Sequence, residues 1–165
     1  MAAKTNTQLI QEYESLIPYI ESLDHLEASI WDTPLEPGKW SLKDLLCHLM
    51  LWDKYFYEAA FVSIREGRPL TSQHLNFNEF NANAIRYAET VTAEEAIRQF
   101  VLYRRIITGY AASLSDEALE QTYKDGDGKP FSIRKHLRGF LPHDKHHKKQ
   151  IEKFLKTVQA VKTDS

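Results

Sequence analysis

The chain has 165 residues, the length of one ordinary domain, and can bury a core without staples. Hydrophobic residues make up 42% and charged residues 27%, a globular balance, and the net charge of -2 argues against a broad basic field for nucleic acid. Cys47 is the single cysteine, which excludes an intrachain disulfide and a multi-cysteine zinc site.

A lone thiol is compatible with a reducing cytosol. Residues Met1 to Thr7 are polar, with no apolar leader region after them. No apolar run approaches the roughly 20 residues of a membrane span. The expectation is a single cytoplasmic domain over 1–165, with no membrane or nucleic-acid partner.

The first helix is predicted from about Thr5 to Ser29. Leu9, Tyr13, Leu16, Ile17, Ile20 and Leu23 recur at helical spacing, and Pro18 should kink the pattern. A loop follows around Pro34 and Pro37-Gly38. Ser41 caps the second helix, with Asp44 placed for a capping box. Leu42, Leu45, Leu46, Leu49, Trp52, Phe56 and Ala60 form its apolar stripe, and Gly67 and Pro69 end it. Gly67 to Phe77 reads as a long crossover, followed by a short helix from about Asn78 to Glu89.

Thr92 caps the next long helix, with Glu95 at the capping-box position. Ala96, Phe100, Tyr103, Ile107, Tyr110 and Leu114 are its predicted core face. A short helical turn starts at Ser115, and Asp125 to Gly128 is a turn cluster. The last helix runs from near Ser132 to near Val161, bent or divided by Pro142. No alternation is long enough to require a sheet. Four main helices and a crossover between the second and third predict an all-α four-helix bundle.

Seven histidines are present, and helical position separates them. At about 100° per residue, Ile151, Phe154 and Val158 share a sector of about 60°. His147 falls inside this sector and His143 about 20° beyond it. His146 instead shares a polar stripe with Gln150, Lys153 and Thr157. An inward histidine pair four residues apart can offer two imidazoles to one ion. The alternative is two partly buried histidines bonded to neighbours.

His48 is the natural third ligand. It shares a flanking stripe with Trp52, Tyr55 and Ala59, and it could equally be a core-edge histidine under Trp52. His136 lies seven residues before His143, but Pro142 is expected to turn it away. His25 and His74 are expected at a helix end and in the crossover.

Two stretches carry a family resemblance. Trp40-Ser41-Leu42-Lys43-Asp44-Leu45-Leu46-Cys47-His48-Leu49 is similar to the segment opening the second helix in the DinB/YfiT-like superfamily of metalloenzymes. His143-Asp144-Lys145-His146-His147-Lys148-Lys149-Gln150-Ile151 is similar to that family's H-x-x-x-H-x-x-Q segment on the last helix. The resemblance covers nearly the whole chain. It implies a bundle binding a divalent metal, zinc or nickel, through His48, His143 and His147. Gln150 matches a recurrent residue of unassigned role, and Lys149 stands where the family often has glycine. The stretch Asn78-Glu79-Phe80-Asn81 is similar to the ClbS/DfsB-like branch, whose members are linked to protection from a genotoxic metabolite. The histidine triad fits the metal-binding branches better.

Three neutral imidazoles leave an ion its full charge and an open position. The resemblance then implies a hydrolase or a thiol S-transferase acting on a small molecule, with a low-molecular-weight thiol as partner in the second case. It also implies a homodimer. The alternatives are a non-catalytic bundle that sequesters a small molecule, and structural histidines without metal. Asp44 could be a base or only a cap. Asp144 could act at the site or answer a helix N-terminus. Cys47 lies about 100° from His48 around the helix and should not share the site. Trp40, Trp52, Tyr55 and Tyr103 could wall a pocket or be plain core. Lys145, Lys148 and Lys149 read as a solvated face.

Overall fold

The structure is a computed structural model describing residues 2–163. Its first predicted helix is a succession of pieces. Helix α1 (Asn6–Glu14) opens with a capping box between Thr5 and Gln8, and α2 (Leu16–Glu21) follows after Ser15. The break falls at Ser15 because Pro18 has no N–H to offer the carbonyl of Glu14. A 3-10 turn, Ser22–His25, leads through extended Leu26 to α3 (Ala28–Trp31). The chain therefore divides where a single kinked helix was expected, yet all six predicted core residues are buried.

Helix α4 (Leu42–Phe56) starts as predicted. The Asp44 N–H donates to Ser41 Oγ at 3.1 Å, and the Ser41 N–H donates to Asp44 Oδ2 at 3.0 Å. A π turn at Tyr57–Phe61, without a sequence signal, joins α4 to α5 (Val62–Glu66). Gly67 ends α5 at φ 68°, in the left-handed conformation that glycine adopts without a Cβ penalty. The Arg68 N–H reaches Ser63 O at 2.8 Å and the Gly67 N–H reaches Ile64 O at 3.3 Å, a Schellman stop. The crossover then turns back on the π turn, where the Thr71 N–H donates to Ala59 O at 2.9 Å.

Helix α6 (Phe77–Ala88), capped by Asn76, packs on α4. Thr92 caps α7 (Ala93–Ala112), but Glu95 turns its carboxylate to Arg98 and Gln99 instead of back to the cap. The predicted face of α7 is partly corrected. Ala96, Phe100 and Ile107 are buried, whereas Tyr103, Tyr110 and Leu114 are half-buried and Arg104, Thr108 and Ala111 take the interior.

After α8 (Asp116–Glu120), the strands β1 (Tyr123–Lys124) and β2 (Pro130–Phe131) pair across the predicted turn. Two residues each are too few for a readable alternation. Asp125 Oδ1 accepts from the N–H groups of Asp127 at 2.9 Å and Lys129 at 2.8 Å. Gly126 lies so close to the crossover that a Cβ would sit 2.8 Å from Thr71 O, so only glycine fits there.

Helix α9 (Ile133–Thr163) runs through Pro142 undivided, so of the bend or division expected there the division does not occur. Both Pro142 and Arg138, the residue whose carbonyl loses its donor, are exposed, so water can take that bond. The bundle is formed by α1–α2, α4–α5, α7 and α9, as the all-α reading predicts. Its apolar interior comes in two clusters, one around Leu45, Leu49, Phe100 and Phe154, the other around Leu9, Phe61, Ile107 and Leu137.

A charged layer separates the clusters. Arg104 on α7, 1% exposed, donates to Asp53 on α4 and Asp144 on α9, each at 2.7 Å, and to Tyr13 O on α1 at 3.0 Å. Tyr13 donates its hydroxyl to Asp53 at 2.8 Å, and its ring lies 3.7 Å from the guanidinium carbon. All four bundle helices thus meet at one side chain.

Candidate metal centre

Beside that layer, α4 and α9 bring His48, His143 and His147 together. His48 is held by the rigid start of α4, one turn beyond the Ser41–Asp44 box. Its Nε2 lies 3.3 Å from His143 Nε2, which in turn lies 3.1 Å from His147 Nε2. Nitrogens about 2.0–2.1 Å from a common ion, at tetrahedral or octahedral angles, stand about 2.9–3.4 Å apart. The observed spacings fall in that range. His143 Nε2 can donate one proton at most, so it cannot hydrogen-bond to both neighbours as donor. Three converging ring nitrogens suit a cation between them.

The surroundings favour neutral rings. Burial, helped by His147 and His143, pushes His48 down to about 3. Burial, His147, His146 and Arg104 push His143 down to about 4. Burial also lowers His147, against a hydrogen bond to Gln150 that raises it. That bond joins His147 Nδ1 to Gln150 Oε1 at 2.7 Å, which turns Nε2 towards the other two rings. Gln150, unassigned from the sequence, therefore orients a histidine of the triad.

The other candidates sort cleanly. His146 is exposed on α9, as its stripe predicted. His25 and His74 lie at a helix end and in the crossover, both exposed. Cys47 is buried in the core away from the triad, and burial pushes its thiol up to about 12. Asp44 is engaged in its cap. Asp144 does not serve a helix N-terminus; it lies inside α9 and pairs with Arg104. Its carboxyl is raised by burial, with Arg104 opposing. Lys145 and Lys148 reach Glu12 and Glu152, while Lys149 is exposed.

His136 is a correction. It was expected to be turned away by Pro142, but the unbroken helix keeps it inward. It sits one layer from the triad, among Phe56, Phe61 and Phe140, and takes no part in the three-histidine cluster. Burial, with Arg104 adding to it, pushes it down to about 3. Its depressed folded-state value makes it stabilising above the ordinary histidine range, with that stability lost as pH falls from about 6.5 towards 3. The slope for one such group is about 1.4 kcal/mol per pH unit. His136→Phe is therefore expected to flatten the fall in unfolding free energy between about pH 6.5 and 4.5 by about 2–3 kcal/mol. Urea titrations of parent and variant across that range check this.

A cavity of about 730 Å³ opens beside the three rings. Trp40, Trp52, Phe56, Phe77 and Phe140 give it an aromatic wall, and Asp125, Asp127 and Lys129 of the hairpin edge it. Small-molecule sites typically occupy roughly 300–1,000 Å³. Of the predicted wall, Trp40 and Trp52 line the cavity, but Tyr55 and Tyr103 do not. Tyr55 instead fastens the crossover, its hydroxyl accepting the Gln73 N–H at 2.8 Å and donating to Gln73 O at 3.2 Å.

The DinB superfamily pattern matches residues 8–151. The chain belongs to the DinB superfamily. Among solved structures it is similar to YfiT from Bacillus subtilis, described as a probable metal-dependent hydrolase with an unusual four-helix bundle topology. The TM-score is 0.75 at 16% identity, over 96% of this chain and 90% of YfiT. An uncharacterized protein from Clostridium difficile 630 gives 0.75 at 16% identity, over 94% of this chain and 98% of that one. A Streptococcus pneumoniae protein gives 0.74 at 17%, over 94% and 93%. At such identities these likenesses show the DinB bundle and nothing finer. No curated protein matches the chain.

Proposed function

We propose that this DinB protein is a divalent-metal-dependent enzyme, with His48, His143 and His147 as ligands, acting as a hydrolase or thiol S-transferase on a small molecule. The observation that carries the reading is the convergence of three buried or half-buried imidazole nitrogens beside an aromatic cavity. Zinc and nickel suit the all-imidazole donor set. When bound, the ion would supply Lewis acidity and lower the pKa of a coordinated water or thiol.

The remaining work falls to the chain. Trp40, Trp52 and Phe140 would receive an apolar, flat part of the substrate and exclude water around it. Asp44 and Asp144 are engaged by the helix cap and by Arg104, and neither lines the cavity. Among the described residues, the carboxylates lining the cavity are Asp125 and Asp127. Hydrolysis would draw its base from that pair or from substrate. S-transfer would need no separate base, because coordination itself acidifies a thiol.

Protein purified without a polyhistidine tag is expected to carry stoichiometric zinc or nickel by elemental analysis. A panel of activated esters and electrophiles, with and without low-molecular-weight thiols, is expected to give product that a chelator abolishes. No metal uptake would end the metal reading. Uptake without metal-dependent product from any of the panel would favour a sequestering bundle.

A further inference from the structure

His147 has a visible partner on its outer nitrogen, Gln150. His48 does not. Its Nδ1 is sealed from solvent and closes no hydrogen bond, and the same is true of Asn81 Oδ1 on α6. His143 Nδ1 is likewise buried and unpaired, but of these atoms only Asn81 Oδ1 is an obligate acceptor; burying any of them unpaired is costly. The rings packed around His48 offer no acceptor for an Nδ1–H, the form that leaves Nε2 free for an ion. Trp40 lies 4.8 Å away between centroids, and Trp52 and Phe80 both 6.4 Å away. Indole nitrogens only donate, and phenylalanine does neither.

Asn81 is the neighbour that can accept. It follows Phe80, whose ring faces the His48 ring, on the helix that packs against α4, and it borders the same cavity as His48. Its helix is fixed in place by the preceding residue, since Phe80 stacks on Trp52 with centroids 4.0 Å apart.

We propose that Asn81 is a positioning residue for the metal centre: its Oδ1 accepts the Nδ1–H of His48 and leaves Nε2 bare, facing His143 and His147. This rests on the metal reading above and extends it to α6, which supplies no ligand. That bond would satisfy both buried atoms. The triad would then have an outer partner on α9 for His147 and one on α6 for His48. The packing of α6 on α4 thereby becomes part of the site.

The test has two readouts on the full chain. Nitrogen-15 histidine NMR of metal-free protein at pH 7 is expected to show His48 as a single Nδ1–H tautomer, and Asn81→Leu is expected to lose that preference. Zinc affinity, by competition with a chromophoric chelator, is expected to fall about 10–100-fold in Asn81→Leu, the usual cost of losing an outer partner. Asn81→Asp, which keeps an acceptor oxygen, is expected to retain both the tautomer and the affinity. If Asn81→Leu does not fold, Asn81→Ser, whose hydroxyl is too short to reach the ring, takes its place. An unchanged tautomer together with unchanged affinity in the Leu or Ser variant overturns the proposal. A parent protein that takes up no zinc sinks the metal reading instead, and the two failures are distinct because the tautomer is read without metal.

Discussion

His143→Ala is expected to lose stoichiometric metal binding, with zinc affinity falling by more than about a hundredfold. Loss of an outer partner alone costs about 10–100-fold, so loss of a ligand must exceed it. His143 adjoins the other two rings, its Nε2 3.3 Å from that of His48 and 3.1 Å from that of His147. His146→Ala, three residues along the same helix but exposed, is the control and is expected to keep its zinc. Circular dichroism of metal-free His143→Ala should match the parent, since the side chain is only half-buried. Equal zinc content in parent and His143→Ala would show that the cluster does not hold the ion.

Arg104→Met is expected to cost about 3–5 kcal/mol of folding stability by urea denaturation, the usual result of removing one partner from a buried ion pair. The substitution leaves Asp53 and Asp144 facing each other in the interior without their cation. In the parent, burial works against the charge on Arg104, but Asp53, Tyr13 and Asp144 outweigh it and hold its pKa well above the ordinary value. The loss should shrink in Arg104→Met combined with Asp53→Asn and Asp144→Asn, because that combination removes the uncompensated charge. A cost below about 1 kcal/mol for the single variant would mean that the layer contributes little. The variant should also weaken zinc binding, since Asp53 shares α4 with His48 and Asp144 is next to His143.

Much of this was legible in the chain because it is local. The Ser41–Asp44 box, the glycine stop at Gly67 and the apolar stripe of α4 all depend on residues within a turn or two of each other. The choice of His143 and His147 over His146 followed from helical phase alone. His48 needed the family resemblance, because its stripe only flanks the core. What could not be read is non-local. Arg104 looks like any surface arginine until Asp53, Tyr13 and Asp144 surround it from three other helices. The π turn at Tyr57–Phe61 has no composition of its own, and a two-residue strand has no period. Pro142 misled because its effect depends on whether the orphaned carbonyl faces water, which a sequence does not state.

The two helices that carry the triad meet along a thin boundary of the bundle: α4 packs mainly on α7, and α9 mainly on α1. An ion held between them would act as a staple across a seam, joining points 95 residues apart in the chain. Closing so long a loop costs little more than closing a shorter one, because the entropy grows only with the logarithm of length. A ligand present at about a hundred times its dissociation constant adds about 2.7 kcal/mol to the folded state. The same seam borders the cavity. Loading with metal would then brace one wall of the cavity as well as arm the site.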